Sequence, residues 1–139
     1  MSLRDKKSLA YTVTSFSIEG VDPGYFAVYI ACSPHKTREA LAGIRAELDQ
    51  VRQTAPGAAE LDRARTHLVG THAIGLQRNG ARAAVYAFDE CYGLGADASA
   101  KYPERVQAVT AAEVLQSAQT ILDTRAEVIA LVAPEGVEI

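Results

Sequence analysis

Almost all of the strand signal in this chain lies between Ala10 and Cys32. The runs AYTVTSFSI (Ala10 to Ile18) and YFAVYIAC (Tyr25 to Cys32) are rich in β-branched and aromatic residues, which suit a pleated, half-buried surface. Between them lies GVDPG (Gly20 to Gly24), whose proline and glycines supply turn geometry. So short a link predicts antiparallel pairing. The second run is apolar nearly throughout, which predicts a central strand covered on both faces.

The next ninety or so residues read as helix. Ser33 is placed to cap a helix with Pro34 at its first position, where a missing N–H costs nothing. That helix is expected from about His35 to Gln53, with Leu41, Ile44, Leu48 and Val51 on one apolar stripe. Pro56-Gly57 ends it. A second helix is expected from Ala58 to about Gln77, turning Leu61, Ala64, Leu68 and Thr71 inward. Asn79 can cap a third, with Ala83, Ala84, Ala87, Phe88 and Cys91 inward, stopped by Gly93 and Gly95. A short helical stretch follows and is expected to break at Pro103. Thr110-Ala111-Ala112-Glu113 fits a capping box, opening a helix that buries Val114, Leu115, Ala118 and Ile121. AEVIALVA (Ala126 to Ala133) reads as a closing strand, and 134–139 as a loose tail.

The order is β-β-α-α-α-α-β, an α+β chain with a mainly antiparallel sheet covered by helices on one face. Three strands are few for so many helices, so the expectation is one partial domain, 1–139, with sheet strands outside it. Missing strands leave an open sheet edge, which predicts self-association.

Composition excludes several function classes. A net charge of −3, with basic and acidic residues interspersed, offers no nucleic-acid footprint. No apolar run reaches the ~20 residues of a membrane span, and no export signal is visible, which leans localisation toward the cytoplasm. Cys32 and Cys91 are expected to be buried free thiols. His35, His67 and His72 lack metal-site spacing: His67 and His72 are five apart, and neither H-E-x-x-H nor H-x-x-E-H occurs. GLGAD (Gly93 to Asp97) follows a helical pattern rather than a strand, so it reads as a helix stop and not a dinucleotide loop. These patterns alone leave the function open.

LRDKKSLAYTVTSF (Leu3 to Phe16) resembles a signature of the pitrilysin (insulinase, mitochondrial processing peptidase-like) family of zinc metallopeptidases, of the form L-R-E-K-x-G-L-A-Y-x-V. DPGYFAVYIACSP (Asp22 to Pro34), LQRNGARA (Leu76 to Ala83), YGLG (Tyr92 to Gly95) and KYPERVQAVTAAEV (Lys101 to Val114) resemble further blocks of that family in order and spacing. Ser8 stands where the family usually has glycine.

The resemblance implies a two-layer α/β roll from the carboxyl-terminal part of the second, non-zinc-binding homologous domain. In the family that domain closes the substrate chamber over a first domain holding H-x-x-E-H. The implied chain is a fragment of a bacterial metalloendopeptidase, without metal ligands of its own and inactive alone. Zn2+ and the amino-terminal domain belong to the intact protein, with peptide as substrate. Arg4 and Tyr11 match the family's arginine and the tyrosine seven positions on, which implies substrate contact for Arg4 and a carbonyl or oxyanion contact for Tyr11. A catalytically silent family member, serving as a structural or partner subunit, is the alternative.

Overall fold

The computed structural model describes residues 11–18, 20, 22, 24–123 and 127–137. The chain divides into two compact units, residues 1–54 with 115–139 and residues 55–114.

In the first unit, β1 (Thr12–Ile18) and β2 (Tyr25–Ala31) pair antiparallel, Thr12 opposite Ala31 and Ile18 opposite Tyr25. They form a two-stranded sheet among the described residues. β2 is therefore an edge strand, and Tyr25, Phe26 and Tyr29 are exposed rather than covered on both faces. Ser33 and Pro34 start a single 3-10 turn, Pro34–Lys36, from which α1 (Thr37–Gln53) continues. The predicted stripe of α1 is real, but Ala40 and Gly43 are its buried members, whereas Val51 is exposed. Leu41, Ile44 and Leu48 are only half-buried.

The expected closing strand does not form. Residues 127–133 have no strand partner among the described residues, although their side chains alternate as a strand's do. Val128 and Val132 are 96% and 102% exposed, while Ile129 and Leu131 fall to 42% and 40%. A salt bridge between Arg45 of α1 and Glu127 ties one end of this segment down. Arg45 Nε also donates to Glu127 Oε2 at 3.3 Å. That bond holds the Glu127 carboxyl below its ordinary pKa and raises the Arg45 guanidinium.

The second unit holds α2 (Ala58–Gly75), α3 (Asn79–Cys91) and α4 (Ala98–Ala108). Gly93 and Gly95 end α3 with φ of +70° and +86°, a region that L side chains rarely occupy. The helix expected to break at Pro103 runs straight through it. Proline has no N–H to donate to the carbonyl four residues back, that of Ser99. His72 of α2 fills the gap: its Nε2 lies 3.0 Å from the Ser99 carbonyl oxygen and 3.3 Å from Ser99 Oγ. The His72 ring stacks on Tyr102 with centroids 4.3 Å apart. Seven residues earlier on α2, Arg65 donates to the carbonyl of Val109, the residue that ends α4. Contacts at 65 and 72 meet 109 and 99, so α2 and α4 run antiparallel.

The inward face of α2 is therefore Leu61, Arg65, Val69, His72 and Leu76, whereas Ala64, Leu68 and Thr71 are exposed. On α3 the half-buried positions are Ala81, Val85 and Asp89, which turns Ala83, Ala84, Ala87, Phe88 and Cys91 outward. Cys91 is exposed and Cys32 half-buried, so the thiols are free but not sealed in a core.

The capping box forms as the sequence predicts. Glu113 Oε2 accepts from the Thr110 N–H at 2.7 Å, and the Glu113 N–H donates back to Thr110 Oγ1 at 3.2 Å. The backbone bond from Thr110 lowers the Glu113 pKa. The helix it opens, α5 (Ala111–Ile121), buries Ala118, with Val114 and Leu115 half-buried and Ile121 exposed.

Candidate functional site

Tyr11 sits at the head of β1. Its backbone N–H donates to the Ala31 carbonyl at 2.8 Å, which extends the β1–β2 ladder by one bond and fixes the Cα. From this anchored backbone the side chain projects into solvent, 91% exposed. A phenol on a fixed strand end, with its O–H in water, can donate to an incoming carbonyl. Arg4 lies outside the described residues, so its distance to Tyr11 is not a property of this structure.

The donors of the described residues do not assemble a zinc site. Among the described residues no three His, Cys, Asp or Glu side chains gather into a metal site. His35 and His67 are exposed, and His72 is committed to α4.

One concavity of the first unit is a groove of about 1470 Å³. Its rims are β2 and residues 127–134, and its floor includes Leu41, Ile44 and Leu48 of α1. The Arg45–Glu127 pair spans from α1 to the far rim. Sequence reasoning missed this groove because its far rim reads as one more strand of the sheet. It also missed the tie between His72 and Ser99, whose partners are 27 positions apart. Among the described residues no helix is long and apolar enough to cross a membrane.

Comparisons with known proteins bear on the Tyr11 end of the sheet. Residues 1–68, which span Arg4, Tyr11, β1, β2 and α1, match the family described as the Peptidase M16 inactive domain. An uncharacterized zinc protease of Streptomyces coelicolor is 37% identical over 79 residues, 57% of this chain and 17% of that protein. The chain thus spans a small part of the curated relative's length. Among solved structures, a candidate zinc protease from Bordetella pertussis Tohama I superposes with a TM-score of 0.72 at 20% identity, over 86% of this chain and 66% of that one. A protease from Helicobacter pylori gives 0.66 at 16% identity, over 88% of this chain and 29% of that one. These two likenesses show the α+β fold.

Proposed function

Because this chain belongs to the M16 family of zinc metallopeptidases, as its inactive-type carboxyl-terminal part, we propose that it is the non-zinc-binding wall of a peptidase's substrate chamber. In this reading the metal ligands and general base come from an amino-terminal partner domain of the intact protein. This chain contributes hydrogen bonds. Tyr11 donates its phenol O–H to the scissile carbonyl, where a fixed donor gains strength as negative charge develops on the oxygen. Arg4 places its planar fork against substrate backbone. The observation that carries the proposal is the exposed Tyr11 phenol on an anchored backbone, inside the stretch that matches the family.

Tyr11→Phe in the intact protein tests it. Removing one aimed donor should lower kcat by ~10²-fold or more with KM little changed, because the bond strengthens only in the transition state. A Tyr11→Phe protein with unaltered kcat would leave the phenol a surface group. Should the intact protein lack a zinc motif, the same chain would serve a silent structural or partner subunit, and neither form would turn over peptide.

A further inference from the structure

We propose that Asn79 is a site of spontaneous deamidation which the fold leaves open, so that the first residue of α3 converts to aspartate or isoaspartate. Asn79 is the single asparagine of the chain, and Gly80 follows it. The modification needs water alone and does not rest on the peptidase reading.

The chemistry comes first. The backbone nitrogen of Gly80 gives its proton to hydroxide and attacks Cγ of the Asn79 side chain. A bond forms between that nitrogen and Cγ, closing a succinimide ring. The bond from Cγ to the side-chain nitrogen breaks, and that nitrogen takes up a proton and leaves as ammonia. Water then adds to one of the two ring carbonyls. Opening at Cγ restores the ordinary peptide bond and leaves aspartate. Opening at the main-chain carbonyl leaves isoaspartate, whose backbone runs through Cβ. Nothing is oxidised or reduced. Glycine is the residue that best permits the attack, because it carries no Cβ to crowd its own nitrogen.

The structure then leaves each requirement unopposed. Asn79 and Gly80 are both exposed, and a Cβ built on Gly80 would meet nothing within 4 Å. Among the described residues the Asn79 amide has no hydrogen-bond partner to hold it away from the backbone. The Gly80 N–H lies in the first turn of α3, where a helix offers its amides no carbonyl. It makes no backbone hydrogen bond among the described residues, so its proton is free to leave.

Ring closure also requires Asn79 to turn out of helical geometry. The start of α3 resists this weakly. Arg78 at the N-cap makes no side-chain cap bond, and the first turn carries no acid. Glycine as its second residue is a poor helix former. Freeing Asn79 gives up one bond at the helix start, from the Arg82 N–H to the Arg78 carbonyl at 3.0 Å. Arg78 and Arg82 flank the site, and their positive charge favours the anion that forms on the Gly80 nitrogen. The two products then act in opposite directions. Aspartate supplies the first turn with the negative charge that a helix start favours. Isoaspartate lengthens the main chain by one CH2 and cannot hold the first helical position.

The experiment incubates the 139-residue chain at mildly alkaline pH, native and unfolded in urea, with circular dichroism confirming that the native sample is helical. Isoelectric focusing follows the acidic species, and peptide mapping locates aspartate and isoaspartate. The native rate should lie within ~10-fold of the unfolded rate, because opening a helix end costs little. All of the new charge should map to position 79, and both products should appear. Gly80→Ala fits without a clash and should lose the acidic species. A native chain that stays intact while the unfolded one converts overturns the proposal. So does an acidic species that maps to a glutamine, or a Gly80→Ala chain that converts at the original rate. Peptidase activity, Tyr11 and zinc play no part in the readout, so the result stands apart from the fate of the chamber reading.

Discussion

Replacing His72 by phenylalanine isolates the way α4 tolerates a proline at its centre. Phenylalanine keeps a ring against Tyr102, where the stacked centroids are 4.3 Å apart. It removes the Nε2 donor that serves the Ser99 carbonyl at 3.0 Å. Ser99 is 6% exposed, so water cannot readily replace the lost partner, and Pro103 has no N–H to offer. An orphaned buried acceptor costs about 1–3 kcal/mol. For a chain of this size that lowers Tm by roughly 4 °C per kcal/mol. The decisive form is a double-mutant cycle with Pro103→Ala. Alanine restores the helical N–H to the Ser99 carbonyl, so in that background His72→Phe should cost less, by about 1 kcal/mol or more. Pro103→Ala alone should stabilise the helix, since mid-helix proline carries a penalty of ~3 kcal/mol against alanine. Urea unfolding of the four proteins, followed by far-UV circular dichroism, gives all the terms. If His72→Phe costs the same in both backgrounds within ~0.3 kcal/mol, the histidine does not stand in for the missing N–H and the reasoning fails.

Other expectations follow from named contacts. Thr110→Ala should cost about 1 kcal/mol in the same assay, because the α5 cap loses its oxygen. Glu113 and Glu127 both have lowered pKa values, from Thr110 and Arg45 respectively. Their stabilisation is present above the ordinary glutamate value of ~4.3 and is lost as pH falls through the lower folded values. Glu113→Gln with Glu127→Gln should therefore flatten the acid limb of the stability–pH curve, and an unchanged limb would show that neither pair matters. Sedimentation should find the 139-residue chain self-associated; a clean monomer at high concentration contradicts that. A fluorogenic peptide assay on the chain alone should show no chelator-sensitive turnover.

Local signals in the sequence were legible and distant ones were not. β1, β2, α1 and the Thr110–Glu113 box depend on neighbours a few residues away, and each forms within a residue or two of its expected place. The continuation of α4 depends on His72, far back in the chain, so local rules at Pro103 predict a break. The inward face of α2 misled for a related reason. In an alanine-rich helix the apolar pattern is weak, and Arg65 and His72 face α4 because they bond its carbonyls. Residues 127–133 have strand character in sequence and in side-chain alternation, but a strand also needs a neighbour. Of the candidate site, Tyr11 is a candidate on its motif alone, since nothing in its immediate composition singles out an exposed phenol. The groove is a tertiary property and left no local trace.

The two bonds from α2 to α4 also settle how far along each other those helices lie. The buried residues of α4 are Ala98, Ser99 and Val106, and such small side chains form low ridges that say little about register. Arg65 and His72 reach carbonyls at opposite ends of α4, and each bond has a direction that van der Waals contact lacks. A shift of about 5.4 Å would break both at once. The pair works like a dowel at either end of a joint: two polar side chains, one near each end of α4, hold the helices at one position along each other.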